Sequence, residues 1–284
     1  MAENPISELK DKILGMTEAQ RKVADYIVKN PLEVAFMTID QLAGIVGTST
    51  NTIMRLMSYL DYSGYSEFQK EIQELFKKSV NPKVKLEVNL KKTSPSNLWT
   101  QCLERQKKNI DESFSRISSE ILDETLQRII DAKQVYFVTA RGGLSVAEYL
   151  NGFFNRIFGK CRLIWADNMI EWVDLLPGMD SSTLIIAISY PRYASRLLNL
   201  LKLARANDTQ IISITDSYSS PLVEFSDFII PCSCDSLGFH NSPVSAMVIA
   251  DCLISVVALR HPKLVSERLD RSNKIVSALD YYTL

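Results

Sequence analysis

Histidine and cysteine, which together supply most structural zinc ligands, are scarce in this 284-residue sequence. There are two histidines, His240 and His261, and five widely scattered cysteines. The pair Cys232-x-Cys234 is closer than the Cys-x2-Cys spacing that is usual in zinc sites. We therefore expect no metal site and no cofactor. We expect the five cysteines to be buried small apolar residues, as is common in proteins of a reducing compartment.

Long apolar runs are also missing. No stretch of about 18 uninterrupted apolar residues occurs, so we expect no transmembrane helix. The N-terminal stretch MAENPISELKDKILGM contains acids and lacks the apolar core of a signal peptide. We therefore expect a cytoplasmic protein without a membrane partner. The formal net charge of −1 gives no general reason to expect nucleic-acid binding, so such a function must come from a local site.

The N-terminal part of the chain has the pattern of a helix-turn-helix. Residues 39–60 read IDQLAGIVGTSTNTIMRLMSYL, and two sets of apolar residues flank Gly47. Glycine enters the left-handed backbone region without steric cost, so it suits a tight turn between two helices. Ala43 is small where the helices would cross, and Ile53 would pack between them. This spacing predicts a helix-turn-helix.

Short polar side chains are concentrated at the start of the second of these helices. Ser49 is placed to cap the helix, but capping does not account for its neighbours. In helix-turn-helix proteins the first residues of this helix contact bases and phosphates in the major groove. Asn51 suits an adenine edge, and Arg55, one turn further on, suits a guanine or a phosphate. The candidate DNA-binding residues are Thr48, Ser49, Thr50, Asn51, Thr52 and Arg55.

A plain three-helix unit with capping hydroxyls is the alternative interpretation. The charge of the segment favours this alternative, because residues 1–80 hold nine Lys and Arg and eleven Asp and Glu, a net of 9 − 11 = −2. DNA-binding domains usually carry a basic surface. We nevertheless favour DNA binding, through a local basic face and the combined affinity of two subunits.

The first domain ends in a helix and is followed by a lysine-rich linker. We assign residues 1–78 to the helix-turn-helix domain, 79–96 to the linker and 97–284 to the second domain. The buried face of the last helix, within residues 61–78, is predicted to carry Phe68, Ile72, Leu75 and Phe76. In the linker four apolar residues alternate with polar ones, which predicts a strand: Val84, Leu86, Val88 and Leu90.

Apolar strands alternate with helical segments in the second domain. The predicted strands are 134–140, 161–166, 182–189, 209–215 and 227–232. The predicted helices between and after them are 145–158, 168–176, 194–207 and 242–259. Continuous apolar strands that alternate with helices predict a doubly wound, flavodoxin-like parallel sheet of five strands. The fold class is therefore an all-helical domain followed by an α/β domain.

Polar loops follow the first and third strands, where doubly wound folds bind ligands. The first loop is TARGGLS and the second is ISYPRYASR. Glycines let backbone N–H groups approach an anion at a helix N-terminus, and an arginine in each loop suits bidentate binding. An ordinary strand-to-helix turn is the alternative for each loop. The candidate ligand-binding residues are Arg141, Gly142, Gly143, Ser145, Ser189, Tyr190, Arg192, Tyr193, Ser195 and, from a later segment, His240.

With these motifs the sequence resembles the RpiR/MurR family of bacterial transcriptional regulators, in which a helix-turn-helix precedes a sugar isomerase (SIS) domain. The resemblance covers nearly the whole chain. It rests on the segments MTEAQRKVADYIVKNP, TIDQLAGIVGTSTNTIMRLMSYLDYSGYSEFQ, VYFVTARGGLSVAEYL, AISYPRYASR and ITDSYSSPLVEFSDFIIPC. It implies a homodimer or homotetramer on a palindromic double-stranded DNA operator, with a phosphosugar commonly acting as the effector.

Both loops depart from the pattern of that family. Its first loop usually reads G-x-G-x-S; here Thr139 and Arg141 stand at the glycines and Gly143 at the serine. Its second loop usually reads S-x-S-G-x-T; Ser189 is kept, and Arg192 stands at the glycine. Pro191 and Ala194 replace the other two hydroxyl residues. We therefore expect two arginines to bind a small anionic metabolite, either a carboxylate or a phosphate placed differently.

Two rival functions remain open. A sugar-phosphate isomerase has the same fold and needs a base beside the sugar, for which Glu148 and Glu171 are the candidates. That hypothesis gives the N-terminal domain no role. The second rival is a SIS-like scaffold whose pocket has lost its ligand.

Overall fold

The computed structural model describes residues 5–35, 37–79 and 81–279. The chain divides into two compact units, Met1–Lys91 and Lys92–Leu284, and each unit has a hydrophobic core of its own. The expected fold class is confirmed, because the first unit is helical and the second contains a parallel sheet of five strands.

The first unit consists of short helices, and all but the last contribute residues to one core. They are α1 (Pro5–Lys12), α2 (Glu18–Lys29), α3 (Pro31–Val34), α4 (Ile39–Val46), α5 (Thr50–Tyr59), α6 (Tyr65–Ser79) and α7 (Pro82–Lys92), with a 3-10 turn at Ile13–Gly15. Of the residues predicted to be buried on α6, Phe68 and Ile72 are fully buried. The side chains of Leu75 and Phe76 lie outside the part that the structure describes.

The turn between α4 and α5 has the geometry that its sequence predicts. Gly47 is left-handed, with φ of 70°, and its N–H donates to the carbonyl of Ala43. The hydroxyl of Ser49 accepts the N–H of Thr52 at 3.2 Å and so caps α5. Ala43 and Ile53 are both buried, with exposed fractions of 6% and 0%. The helix-turn-helix is therefore held by one glycine, one cap and a shared apolar contact.

The strand predicted within the linker is wrong, because Val84, Leu86, Val88 and Leu90 all lie on helix α7. The alternation has period 2, but it also places Val84 and Val88, and Leu86 and Leu90, one helical turn apart. Start signals favour the helix: Pro82 occupies its first position, and the side chain of Asn81 accepts the N–H of Lys83 at 2.9 Å. No residue of α7 is buried.

The second unit is a doubly wound α/β domain. Two helices precede its sheet, α8 (Leu98–Phe114) and α9 (Ser119–Asp131). The strands are β1 (Gln134–Thr139), β2 (Cys161–Trp165), β3 (Thr183–Ile188), β4 (Gln210–Thr215) and β5 (Phe228–Pro231). The helices after the strands are α10 (Leu144–Phe158), α11 (Met169–Leu175), α12 (Ser195–Arg205), α13 (Val244–Arg260) and α14 (Pro262–Ala278). Short 3-10 turns lie at Arg141–Gly143, Leu176–Gly178 and Pro221–Phe225.

All five strands are parallel and lie in the order β2-β1-β3-β4-β5. The chain runs outward from β1 to β2, returns to β3 beside β1, and then continues in the other direction. The boundary between β1 and β3 is therefore the topological switch point, where ligands bind in folds of this kind. Thr139 pairs in register with Ile188, so the loops after β1 and β3 leave the same edge of the sheet side by side.

The expectation that all five cysteines are buried is wrong for two of them. Cys161, Cys232 and Cys234 are buried, whereas Cys102 is exposed and Cys252 is half-buried. Cys102 lies in the first two turns of α8, where most side chains are exposed. Burial raises the pKa of the Cys161 thiol to about 12, so that thiol stays protonated and unreactive near neutral pH.

Among the helices of the described ranges, none is by itself long and apolar enough to cross a membrane. Helices α13 and α14 meet the requirements of length and composition only as a pair, and their axes differ by 101° at the break between them. Much of α13 is core, because Ala246, Ile249 and Leu253 are buried.

Candidate functional site

The outward side of α5 carries the polar residues that the sequence singles out. Ile53, Leu56 and Met57 are completely buried and fix the opposite side of the helix against the core. Asn51 and Arg55, one turn apart, are exposed on the outward side. Two exposed side chains one turn apart on a recognition helix are spaced to reach neighbouring positions of a DNA groove.

The other candidates around this helix start are partly used within the protein. Ser49 is exposed, and its hydroxyl lies 3.0 Å from that of Thr52, so these two groups bond each other. Thr48, Thr50 and Thr52 are half-buried. The exposed polar groups with the longest reach are therefore those of Asn51 and Arg55.

The loops at the switch point are defined by two arginines in an unusual backbone conformation. Arg141 and Arg192 have φ of 57° and 76°, in the left-handed region, and both side chains are exposed. This region costs a residue with a Cβ roughly 1–2 kcal/mol relative to the right-handed one. In the described part of the chain the other non-glycine residues with positive φ are Asp61, Asn97 and Asp208, types that tolerate the region better.

Both arginines stand where the family pattern has glycine. Glycine adopts positive φ at no steric cost, so a glycine in the family pattern accounts for the positive φ at these positions. It does not account for the presence of an arginine side chain there. At each position the chain keeps a backbone suited to glycine and adds a guanidinium group. Strain of this kind persists where the surrounding structure imposes it and is enriched at binding sites.

Close packing against neighbouring atoms explains why position 143 is a glycine, without a contact to a ligand. A Cβ on Gly143 would lie 2.3 Å from Oγ1 of Thr139 and 2.8 Å from the carbonyl oxygen of Ile188. Gly143 is buried, whereas Gly142 is exposed and has open space around its Cα. Of the two glycines expected to admit a ligand, only Gly142 lies at the surface. The exposed Ser145 follows in the first turn of α10.

Two predicted residues of the second loop point into the protein. Ser189 is buried, and its N–H donates to the carbonyl of Ile214 at 3.1 Å. Tyr190 is buried in the same core as Phe137, and its hydroxyl has no hydrogen-bond partner. Burial raises the pKa of Tyr190, so its phenol stays neutral.

The remaining residues of the second loop lie nearer the surface. The hydroxyl of Tyr193 donates to Oδ1 of Asp216 at 2.6 Å, and burial followed by the charge of Asp216 raises the pKa of Tyr193. The ring is therefore fixed against the loop after β4. Ser195 is exposed at the first position of α12.

The segment between β5 and α13 approaches the second loop. His240 is exposed, and its carbonyl accepts the hydroxyl of Ser236 at 2.6 Å. The next residue, Asn241, donates its side-chain N–H to the carbonyl of Pro191 at 3.0 Å. We did not predict Asn241 from the sequence, because its partner lies 50 positions away and no local pattern marks the pair.

The two carboxylates proposed for an isomerase have different surroundings. Glu171 forms an ion pair with Arg162 at 2.6 Å and accepts the side-chain N–H of Asn168 at 2.8 Å. Glu148 is exposed on an open groove along α10. That groove is lined by Ser145, Glu148, Tyr149, Gly152, Phe153 and Arg156. Glu171 is therefore held by two neighbouring side chains, whereas Glu148 faces solvent.

Comparison with known sequences assigns both units. A family description, "Helix-turn-helix domain, rpiR family", matches residues 4–79, and the SIS domain description matches residues 128–256. The HTH-type transcriptional regulator HexR of Pseudomonas aeruginosa is 22% identical over 261 residues, which cover 90% of each chain. The regulator RpiR of Escherichia coli K12 is 23% identical over 223 residues, 78% of this chain and 74% of that one.

Solved structures share the fold. The NanR protein of Vibrio vulnificus, complexed with ManNAc-6P, superimposes with a TM-score of 0.65 and 21% identity over 97% of this chain and 99% of that one. The sugar isomerase domain of an RpiR transcription factor from Sphaerobacter thermophilus gives a TM-score of 0.60 and 20% identity, covering 63% of this chain and 99% of that one.

A helix-turn-helix unit followed by a SIS domain defines a two-domain transcriptional regulator. The matched ranges account for most of both units. The chain belongs to the RpiR family of HTH-type transcriptional regulators.

Proposed function

We propose that this regulator binds a palindromic operator through α5 and that a small anionic metabolite, a phosphosugar or a related acid, modulates this binding from the SIS domain. It acts in the cytoplasm as a homodimer or homotetramer and catalyses no reaction. The observation that carries the proposal is the pair of exposed arginines, Arg141 and Arg192, held with positive φ on the two loops of the switch point.

Operator binding is assigned to the outward side of α5. Asn51 has the donor and acceptor that match an adenine edge, and Arg55 has the fork that matches guanine or phosphate. Thr48, Ser49, Thr50 and Thr52 line the start of the helix and contribute hydroxyls to the phosphates. Because the net charge of the first 80 residues is −2, one copy has little general attraction to DNA. A dimer on two half-sites supplies the missing affinity.

The effector is assigned to the loops after β1 and β3. Arg141 lies in the turn that leads into α10, and Arg192 lies on the loop after the neighbouring strand β3. Two guanidinium groups on adjacent loops favour an anion through charge, and the N–H groups at the start of α10 add to this preference. Gly142 leaves the approach open, and the exposed hydroxyls of Ser145 and Ser195 lie in the first turns of the adjoining helices. The ligand of NanR supports a phosphosugar, whereas the replaced hydroxyl residues of the second loop favour a contact that depends on arginine.

The test is a calorimetric titration of the wild-type chain and of Arg192→Ala with sugar phosphates and with small carboxylates. Loss of one charge-assisted contact should weaken binding by roughly 10- to 100-fold. Arg260→Ala is the matched control, because Arg260 is an exposed arginine of the same unit that pairs with Asp123. Tight binding of a sugar phosphate that survives Arg192→Ala would contradict the proposal.

The absence of catalysis is tested by an isomerase assay with sugar phosphates. The relatives are named as regulators, and Glu171 is engaged with Arg162. We expect no turnover by the full chain, together with a gel shift of the DNA upstream of its own gene. Turnover that Glu148→Gln abolishes would make the chain an isomerase.

A further inference from the structure

The second effector loop is joined by hydrogen bonds to α8, the first helix of the second unit. Arg192 is flanked by Pro191 and Tyr193, and each of these neighbours belongs to a separate polar link. The first link ends on α8, and the second ends on Arg116, which follows α8 and donates to the carbonyl of Glu112 in its last turn. The links do not use the guanidinium of Arg192. They contact the loop through the backbone carbonyl of Pro191 and through the hydroxyl of Tyr193.

The first link runs through the segment before α13. Asn241 donates its side-chain N–H to the carbonyl of Pro191 at 3.0 Å. The next residue, Ser242, is buried, with 3% of its surface exposed, and its hydroxyl donates to Oε1 of Gln106 on α8 at 2.6 Å. Two consecutive residues therefore contact the effector loop on one side and α8 on the other.

The second link runs through the loop after β4. Tyr193 donates its hydroxyl to the carboxylate of Asp216 at 2.6 Å. The backbone carbonyl of Asp216 accepts an N–H of Arg116 at 3.4 Å, just beyond the end of α8. Arg116 also donates to the hydroxyl of Ser233, so it connects the loops after β4 and β5.

Buried polar residues fix α8 against the segment that carries the first link. Asn109 and Ser113 are 1% and 0% exposed. The amide of Asn109 donates to the carbonyl of Asp235 at 2.7 Å, and the hydroxyl of Ser113 accepts the N–H of Ser233 at 2.8 Å. A sliding movement of α8 would leave these buried groups unsatisfied. Such an interface favours discrete positions of the helix over continuous ones.

We propose that Asn241 and Arg116 are positioning residues through which a change at the effector loop reaches α8. The inference rests on the proposed function, because it takes the loop of Arg192 as the effector site. Helix α8 directly follows the linker in the chain, so it is the part of the SIS domain best placed in sequence to pass a change toward the DNA-binding unit. Because the links begin at the residues before and after Arg192, a change in the loop backbone at either residue would shift the position of α8.

The first arm of the test needs no ligand. Arg192→Gly frees the loop backbone, and hydrogen exchange of the full chain is followed on peptides covering α8. We expect exchange at residues 105–116 to accelerate about 2- to 10-fold, the range for loss of one net hydrogen bond. Asp208→Gly, which replaces another residue of positive φ, is the control and leaves α8 unchanged.

Breaking both links should remove this response. In an Asn241→Ala/Arg116→Ala background, adding Arg192→Gly should no longer change the exchange of α8. The matched background is Asn207→Ala/Lys107→Ala, because Asn207 bonds a carbonyl elsewhere and Lys107 pairs within α8. Tyr193→Phe breaks the second link without removing the ring if Arg116→Ala does not fold. Unchanged exchange of α8 in Arg192→Gly, or a response that persists without the links, overturns the proposal.

The second arm adds ManNAc-6P as the probe. If calorimetry shows binding, exchange of α8 should slow in the wild-type chain and stay constant in Asn241→Ala/Arg116→Ala that still binds the probe. Slower hydrogen exchange of α8 in that double variant would also contradict the proposal. If the probe does not bind, the fault lies in the chosen effector chemistry, and the first arm alone decides whether the links exist.

Discussion

Oγ1 of Thr139 occupies the space that a side chain on Gly143 would need. The hydroxyl donates to the carbonyl of Ile188 at 2.9 Å and lies 2.3 Å from the position of a Cβ on Gly143. In the family pattern the first of these positions is glycine and the second is serine. In this chain the hydroxyl stands at the first position and glycine at the second, and the hydroxyl of Thr139 bonds the backbone of β3.

This relationship predicts that Gly143→Ser is destabilising by itself. The new Cβ would press on Thr139 and on the backbone of Ile188, and overpacking of this kind costs about 1–3 kcal/mol. Chemical denaturation measures the loss. Adding Thr139→Gly should recover part of it by removing the nearest atom.

Gly142→Ser is the control for that pair, because no atom lies within 4 Å of a Cβ at Gly142. It should change the free energy of unfolding by less than about 0.5 kcal/mol. A single Gly143→Ser variant as stable as Gly142→Ser would show that the two positions are not coupled.

Arg192→Gly should separate stability from binding. Glycine relieves the left-handed strain, so the free energy of unfolding should stay the same or rise by up to about 1 kcal/mol. Effector affinity should fall, because the guanidinium is gone. Thermal unfolding and calorimetry on one preparation measure the two quantities.

Asp208→Gly provides the comparison for Arg192→Gly, since Asp208 has φ of 58° and lies after α12, away from the loops. It should change stability in the same direction and leave effector affinity intact. A large loss of stability in Arg192→Gly would mean that Arg192 holds the fold and is not kept for a ligand.

The cap of α5 should contribute to the stability of the first unit. Ser49→Ala removes the acceptor of the Thr52 N–H and should cost about 1 kcal/mol of stability. Ser58→Ala, on the same helix, removes only a bond to the carbonyl of Met54 and should cost less. Equal effects of the two substitutions on the denaturation midpoint would contradict the role of Ser49.

Asn51→Ala should relax operator specificity more than it weakens general DNA affinity. Loss of a bidentate contact to one base costs about 1–3 kcal/mol on the preferred sequence only. Competition between the operator and scrambled DNA measures the ratio of the two affinities. Lys22→Ala, an exposed residue of α2 that pairs with Glu18, should leave that ratio unchanged. If Asn51→Ala weakens binding to the operator and to scrambled DNA equally, Asn51 contacts the DNA backbone and not a base.

Most of the fold followed from local patterns in the sequence. Gly47 and Ser49 act within a few residues of themselves, and the apolar strands of the sheet are nearly continuous, so their signals are strong. Helix α7 was missed because an alternation such as that of Val84 and Leu86 predicts a strand only if a neighbouring strand pairs with it, and none does within the described residues. Local pattern and tertiary pairing are separate requirements.

The candidate site was only partly predictable. Arg141 and Arg192 are candidates because they follow strands, and the structure adds that both have positive φ. Tyr190 is a candidate ligand-binding residue by its position in the loop, yet it is buried in the core. Asn241 was missed because its partner is distant in sequence. Burial and long-range hydrogen bonds depend on the complete fold, which a local pattern does not contain.

The most direct test of the central claim is a crossed titration of Arg55→Ala and Arg192→Ala with operator DNA and with the effector. The account predicts that Arg55→Ala weakens operator binding about 5- to 100-fold and leaves effector affinity within about twofold, and that Arg192→Ala does the reverse. Loss of both functions in either folded variant would contradict it.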